Sequence, residues 1–321
     1  MRRAESRARL GAAARLYYEH DLTHQEIGDI LGLSRIKVSR MLARARQDGI
    51  VRITVVDDTP LFGVEAQAIA EKYGLEAVHI APNGATDQET RIAVAKVAAR
   101  AFAASIKPGS RVAIALSNTV LHTVTYLEKV DLGIEVLPAT GTIAGRADGT
   151  SATELSLLLS ERYGGRSYRL AAPLVARSAA LAHELSRDPA IHSAFEAVAS
   201  ADLLIGGIGT IQADGGLLSS QLDAAELAGL RDSGAVGDYC AAYFDDAGRP
   251  VHTELTERIM GLGIERLRRI PRRLAMSFGA SRFRATETAV RTGIPTILCT
   301  DHETALRLLD SSAEPDADPA G

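Results

Sequence analysis

Residues 22–46 read LTHQEIGDILGLSRIKVSRMLARAR, and their spacing predicts two short helices joined by a tight turn. Thr23 followed by Glu26 forms a capping box, which starts a helix at His24 by satisfying its free backbone N–H groups. Ile27, Ile30 and Leu31 fall on one face of that helix. Gly28 is read as the small residue a close helix crossing needs, and Gly32 as the residue that takes a positive φ where the chain turns. Leu33 is expected to pack inward and Ser34 to cap a second helix, whose buried face is Ile36, Val38, Met41 and Leu42. This is the layout of a helix-turn-helix, and a helix around Ala8 to Tyr18 would complete a three-helix core.

The second helix carries Arg35, Lys37 and Arg40 toward its N-terminus, the end at which its own macrodipole disfavours cations. An anionic partner accounts for them better. Laid in the major groove of double-stranded DNA, the helix would turn Ser34, Arg35 and Ser39 toward base edges, arginine bidentate to guanine being the commonest such contact. Lys37, Arg40 and Arg44 would meet phosphates and add affinity without sequence choice. The competing reading is a plain two-helix hairpin with a solvated basic face. Charge placement agrees with a phosphate-touching head: residues 1–57 hold 11 Arg/Lys against 7 Asp/Glu, whereas the whole chain has a net charge of −4.

Working outward, three regions are expected: a helix-turn-helix domain at 1–57, an α/β domain at 58–310 and a disordered tail at 311–321. Ile50 to Val56 alternates like a short strand, and Asp57 to Pro60 reads as a turn or linker. Beyond it, helix-like stretches interleave with apolar runs at 77–80, 112–116, 134–137, 202–207, 239–244, 273–277 and 295–299. That alternation predicts an α/β fold with a mostly parallel sheet. The C-terminal DSSAEPDADPAG is acidic and contains almost no large apolar side chain, so it lacks the means to order itself.

Cys240 and Cys299 are the two cysteines, far apart and without C-x-x-C spacing, so neither a zinc site nor a disulfide framework is implied. His79, His122 and His183 have no partners at metal spacing, and no cofactor is expected. The Arg-rich start lacks the apolar stretch of a signal peptide, and no run is long enough to span a membrane, which favours the cytoplasm. No Ser-His-Asp order, close carboxylate pair or His/Cys cluster stands out for catalysis. Gly207-Ile208-Gly209 lacks the third glycine of a dinucleotide loop, and Gly141 to Gly145 is not followed by the Lys-Ser/Thr of a phosphate loop.

Several blocks together resemble the SorC family of sugar-responsive transcriptional regulators, and the resemblance covers nearly the whole chain. They are ARLYYEHDLTHQEIGDILGLSRIKVSRMLARARQDGIV (14–51), ATELSLLLSERYGGRSYRLAAPLVA (152–176), SADLLIGGIGT (200–210), GAVGDYCAAYFDDAGRPV (234–251) and IPTILCTDHETALRLL (294–309). The resemblance implies a Rossmann-like C-terminal domain similar to sugar-phosphate isomerases and CoA-transferases, with a sugar, polyol or sugar-phosphate effector at the carboxyl edge of its sheet. General α/β geometry points to the same edge. The residues expected there are Ser117, Asn118 and Thr119 after the second apolar run, Gly207 and Gly209 in a loop following the DLLI strand, Asp238, and Arg282. Two departures stand out: ALSNT (115–119) lacks the Gly/Trp loop common in the family, and Arg282 replaces the lysine of a Gly-Gly-x-x-Lys segment. A planar guanidinium forms no Schiff base and prefers bidentate oxyanions. The reading is therefore a regulator, not an enzyme, binding operator DNA and a small effector. A homodimer or homotetramer is expected because one helix-turn-helix reads few base pairs. A sugar-phosphate isomerase- or deaminase-like enzyme, and a nucleic-acid-binding protein with an empty pocket, are the alternatives.

Overall fold

In the computed structural model, which describes residues 2–51, 60–143, 151–211 and 222–312, the chain divides into two units, Met1–Thr59 and Pro60–Gly321. The first unit contains α1 (Arg2–Tyr18), α2 (His24–Leu31) and α3 (Arg35–Gln47). The capping box at Thr23 forms as its spacing requires, with Thr23 N–H donating to Glu26 Oε2 at 2.8 Å and Glu26 N–H to Thr23 Oγ1 at 3.3 Å. Gly32 adopts φ +66 and closes α2. Ser34 Oγ accepts from Lys37 N–H at 3.3 Å and opens α3.

Gly28 is needed for a different reason from the one its sequence position suggested. Leu33 N–H donates to Gly28 O at 2.8 Å, and a Cβ on Gly28 would lie 2.5 Å from Leu33 O, so it is the returning turn, not a helix crossing, that excludes a side chain. The core joins Leu10, Ala13 and Ala14 of α1 to Ile27 and to Val38, Leu42 and Ala45. Ile30 and Ile36, expected inside, are 60% and 67% exposed. Three short helices have room for few inward positions, and Ala45 takes one of them. The strand expected at Ile50 to Val56 falls largely outside the described residues; Ile50 and Val51 themselves are not in a strand.

The second unit begins with α4 (Gly63–Tyr73), β1 (Ala77–Ala81), α5 (Asp87–Ser105), β2 (Arg111–Ile114), α6 (Asn118–Tyr126) and β3 (Ile134–Pro138). It continues through α7 (Ala152–Tyr163), β4 (Gly165–Ser167), α8 (Ala179–Arg187), α9 (Pro189–Ala199), β5 (Leu203–Thr210) and α10 (Ala224–Asp232). The last elements are β6 (Ala235–Tyr239), β7 (Ala242–Asp245), α11 (Ile264–Leu267), β8 (Arg272–Met276), α12 (Phe283–Arg291), β9 (Ile297–Asp301) and α13 (His302–Asp310). Strands pair in parallel in the order β1-β9-β8-β5-β2-β3-β4.

Both faces of this sheet are covered, which is why its strands read as unbroken apolar runs. Val112 and Ile114 of β2 pack on one side with Val94, Ala98 and Phe102 of α5 and Leu155 and Leu159 of α7. Ala113 and Ala115 turn to the other side, toward a layer holding Ile69 of α4, Phe195 of α9, Ala289 of α12 and Leu308 of α13. Successive side chains alternate between the two layers, as the period of a strand demands.

Two expectations about strands are corrected. The run at 239–244 is not one strand but the tip of a hairpin: Cys240 and Ala241 have φ +57 and +62, and β6 and β7 pair antiparallel across them. The segment beyond DLLI is not a loop, because β5 continues to Thr210 and its Ile208–Thr210 end pairs antiparallel with β6. Of the expected tail, residues 313–321 lie outside the described residues, whereas Ser311 is held by Lys72 Nζ donating to its carbonyl at 2.5 Å.

Candidate functional site

Between β2 and β5 the connections diverge. β2 leads to β3 and β4 on one flank, while its neighbour β5 leads toward β8 and β9 on the other. A crevice beyond the carboxyl ends of such strands is the general ligand position of open α/β sheets. Here it is lined by Ala115 and Leu116 from the end of β2, Gly207 and Thr210 of β5, Asp238 of β6, and Thr140 after β3. Cys240, Ala241 and Tyr243 of the hairpin and Leu227 and Leu230 of α10 close other sides.

Packing in this crevice depends on glycine. A Cβ on Gly209 would sit 2.0 Å from Asp238 Oδ1, and one on Gly207 would sit 3.0 Å from Ser117 Oγ. Asp238 Oδ2 accepts from Ala241 N–H at 3.0 Å and so holds the left-handed hairpin tip. Burial pushes the Asp238 carboxyl up to about 6, against the lowering effect of the Ala241 hydrogen bond. Burial likewise pushes Tyr243 and Cys240 upward. Ser117 Oγ accepts from Val120 N–H at 3.1 Å and caps α6.

Of the residues expected at the effector site, Gly207 and Asp238 line the crevice, while Ser117 lies against Gly207 and Gly209 against Asp238. Thr119 does not join them: it is buried in α6, where its carbonyl accepts from Thr123 Oγ1 at 2.8 Å. Asn118 is exposed at the first position of α6. Arg282 is not among the residues lining the crevice. It lies with its guanidinium 5.3 Å from the Phe278 ring centroid, while Arg91 of α5 lies 5.6 Å from the same centroid. Burial lowers the pKa of Arg282, Arg91 adds to the lowering and Asp87 opposes it. His122 is lowered by burial and then by Arg91, and it stands one turn beyond Asn118 on the same face of α6. Thr140 and Thr210 line the crevice without having been expected there, since they come from separate segments with no shared motif; Arg91 and His122 lie near Arg282 and Asn118, not in the crevice lining. Among the described residues no group of His, Cys, Asp or Glu is arranged to hold a metal ion, and no helix is long and apolar enough to cross a membrane.

On the first unit, His24, Ser34, Arg35, Ile36, Ser39 and Arg40 surround one open concavity. Four of the residues expected to face DNA thus share a surface, joined by His24 and Ile36, which were not expected there. Lys37 and Arg44 are exposed outside it, and Arg44 Nε is paired with Asp48 at 3.0 Å.

Residues 63–310 match the Sugar-bind family model, "Putative sugar-binding domain", and residues 15–48 match "Sigma-70, region 4". The chain belongs to the SorC family of sugar-binding transcriptional regulators. An uncharacterised transcriptional regulator of Escherichia coli K12, YjhU, is 29% identical over 304 residues, covering 92% of each chain. The deoxyribonucleoside regulator of Bacillus subtilis is 25% identical over 300 residues, with 93% of this chain and 96% of that one covered. The full-length sorbitol operon regulator SorC from Klebsiella pneumoniae shares the fold, with a TM-score of 0.76 and 23% identity, over 94% of this chain and 98% of that one. This SorC-family member is a DNA-binding transcriptional regulator with a sugar effector.

Proposed function

We propose that this regulator binds operator DNA through the concave face of α3 and a polyhydroxylated, anionic effector at the sheet edge, each altering affinity for the other. The observation that carries the effector site is the meeting of Ser117, Gly207 and Asp238 at the switch point between β2 and β5. Asp238 and the Thr140 and Thr210 hydroxyls offer acceptors and donors to sugar hydroxyls. Arg282 and Arg91, with Asn118 and His122 at the start of α6, suit a phosphate or carboxylate on the same molecule. Catalysis has no part in this reading, and the protein acts as a homo-oligomer on cytoplasmic DNA. Two copies of α3 then read a two-fold symmetric site.

Melting the full-length protein against sugars, polyols, sugar acids and sugar phosphates tests this, because a ligand of the native state raises the melting temperature by mass action. The phosphorylated or acidic members should shift it, and their uncharged parents should do so less. Arg282→Met, which keeps an apolar stem and removes the guanidinium, should abolish the shift by the anionic compounds while leaving the unliganded melting temperature and DNA binding close to wild type. An unchanged shift would remove Arg282 from the site.

The DNA surface has its own expected outcome. Arg35→Ala should lose discrimination at particular base pairs, by about 1 to 3 kcal/mol per mismatched guanine. Lys37→Ala should weaken all sequences alike and shallow the dependence of affinity on salt by about one counterion. Fluorescence anisotropy on enriched and random duplexes across salt concentrations separates the two, and identical behaviour of the variants would contradict the assignment.

A further inference from the structure

Ile36 is a β-branched aliphatic residue in the first turn of α3, yet it is 67% exposed, and the core of its unit is built without it. Successive steps of 100° along a helix put Ile36 roughly opposite Val38 and on the same side as Ser39 and Arg40. The structure agrees: Val38 is fully buried, while Ile36, Ser39 and Arg40 line one concavity with Ser34, Arg35 and His24. An apolar side chain is thus held among polar and cationic ones on one surface. Such a surface does not favour a second copy of itself, since Arg35 and Arg40 would face their own counterparts. It suits a polyanion that also presents an aliphatic group.

Duplex DNA meets both conditions at one place, the C5-methyl of thymine in the major groove, where apolar side chains distinguish thymine from the other bases. We propose that Ile36 is a specificity-determining residue that packs on a thymine methyl within each half-site, between the polar contacts of Ser34, Arg35 and Ser39. The proposal rests on the DNA-binding reading of α3 and adds to it the base that α3 prefers. Ile36 chooses thymine by burial of a methyl group; its hydrogen-bonding neighbours choose their bases by donor and acceptor pattern.

The full-length protein is used to enrich duplexes from a random-sequence library, and an enriched duplex is resynthesised with each thymine replaced in turn by uracil. That change deletes one methyl and leaves every base pair and every hydrogen-bonding group in place. For the wild type, one replacement per half-site should weaken binding about four-fold, the transfer value of a single methyl group. Ile36→Ala should bind the thymine and uracil versions equally, and Ile36→Val should show a smaller preference than wild type. Ile36 is exposed, so both variants should melt with the wild type; Ile36→Val retains the β-branch and carries the comparison if Ile36→Ala does not. A wild type indifferent to every uracil replacement, or an Ile36→Ala protein that keeps the full preference at the same thymine, overturns the proposal while leaving DNA binding intact. Failure of the wild type to enrich any duplex over random DNA overturns the DNA-binding reading, and the role of Ile36 with it.

Discussion

Asp238→Asn is expected to raise the stability of the second unit near neutral pH and at the same time to abolish the response to effector. The Asp238 carboxyl is half-buried where it lines the crevice, and loss of water around it pushes it up to about 6, so keeping it ionised at pH 7.5 costs stability on the order of 3 kcal/mol. Because its folded value lies above the unfolded one, the contribution of this group is fully present below about pH 4. It is lost as the pH rises through about 6. Asparagine keeps an oxygen to accept the Ala241 N–H and carries no charge to desolvate. Cys240 and Tyr243, the titratable neighbours on the hairpin, are both pushed upward and stay neutral in this window. The melting temperature of wild type should therefore fall, relative to Asp238→Asn, between pH 5 and pH 7.5, and the two pH curves should converge in acid. Parallel curves would contradict the buried-carboxylate account. Loss of the effector shift in a protein that has become more stable would separate a binding role for Asp238 from a structural one.

Gly209→Ala should be damaging out of proportion to one methyl group. Gly209 and Asp238 are register partners across β5 and β6, and the added Cβ would meet Asp238 Oδ1 at 2.0 Å. The carboxylate must swing away, releasing the Ala241 N–H and the left-handed tip it supports, or the strands must part. Overpacking of this kind costs about 1 to 3 kcal/mol, and the effector response should be lost with it. Asp238→Ala removes the obstructing atoms, so in a double-mutant cycle followed by urea denaturation the second substitution should recover most of the cost of the first. Additive losses would show that Gly209 serves the strand alone.

What could be read from the sequence divides along physical lines. The turn at Gly32, the caps at Thr23 and Ser34 and the parallel strands were legible because local hydrogen bonding and strand periodicity leave marks within a few residues. Ile36 was misplaced because helical periodicity ranks apolar residues without knowing how many a three-helix core admits. The hairpin at 239–244 escaped because Cys240 and Ala241 carry none of the Gly or Asn that normally announce a turn with positive φ at both central residues; the Asp238 carboxylate supplies that support from outside the turn. Ser117, Gly207 and Asp238 were expected from their places at strand ends, whereas Arg91 and His122 come close to Arg282 and to one another only through the packing of α5 and α6. Thr119 failed as a candidate because the residue two places after a strand-to-helix turn already belongs to the inner face of the helix.

Coupling between two ligands is what makes this protein a regulator in the proposed reading, and it is measured as the affinity of the full-length protein for one enriched duplex with and without a stabilising sugar phosphate or sugar acid. A change of about 5- to 150-fold is expected, matched by an equal change in effector affinity when DNA is bound, and absent in Asp238→Asn. A compound that raises the melting temperature through this site but leaves DNA affinity untouched would contradict it.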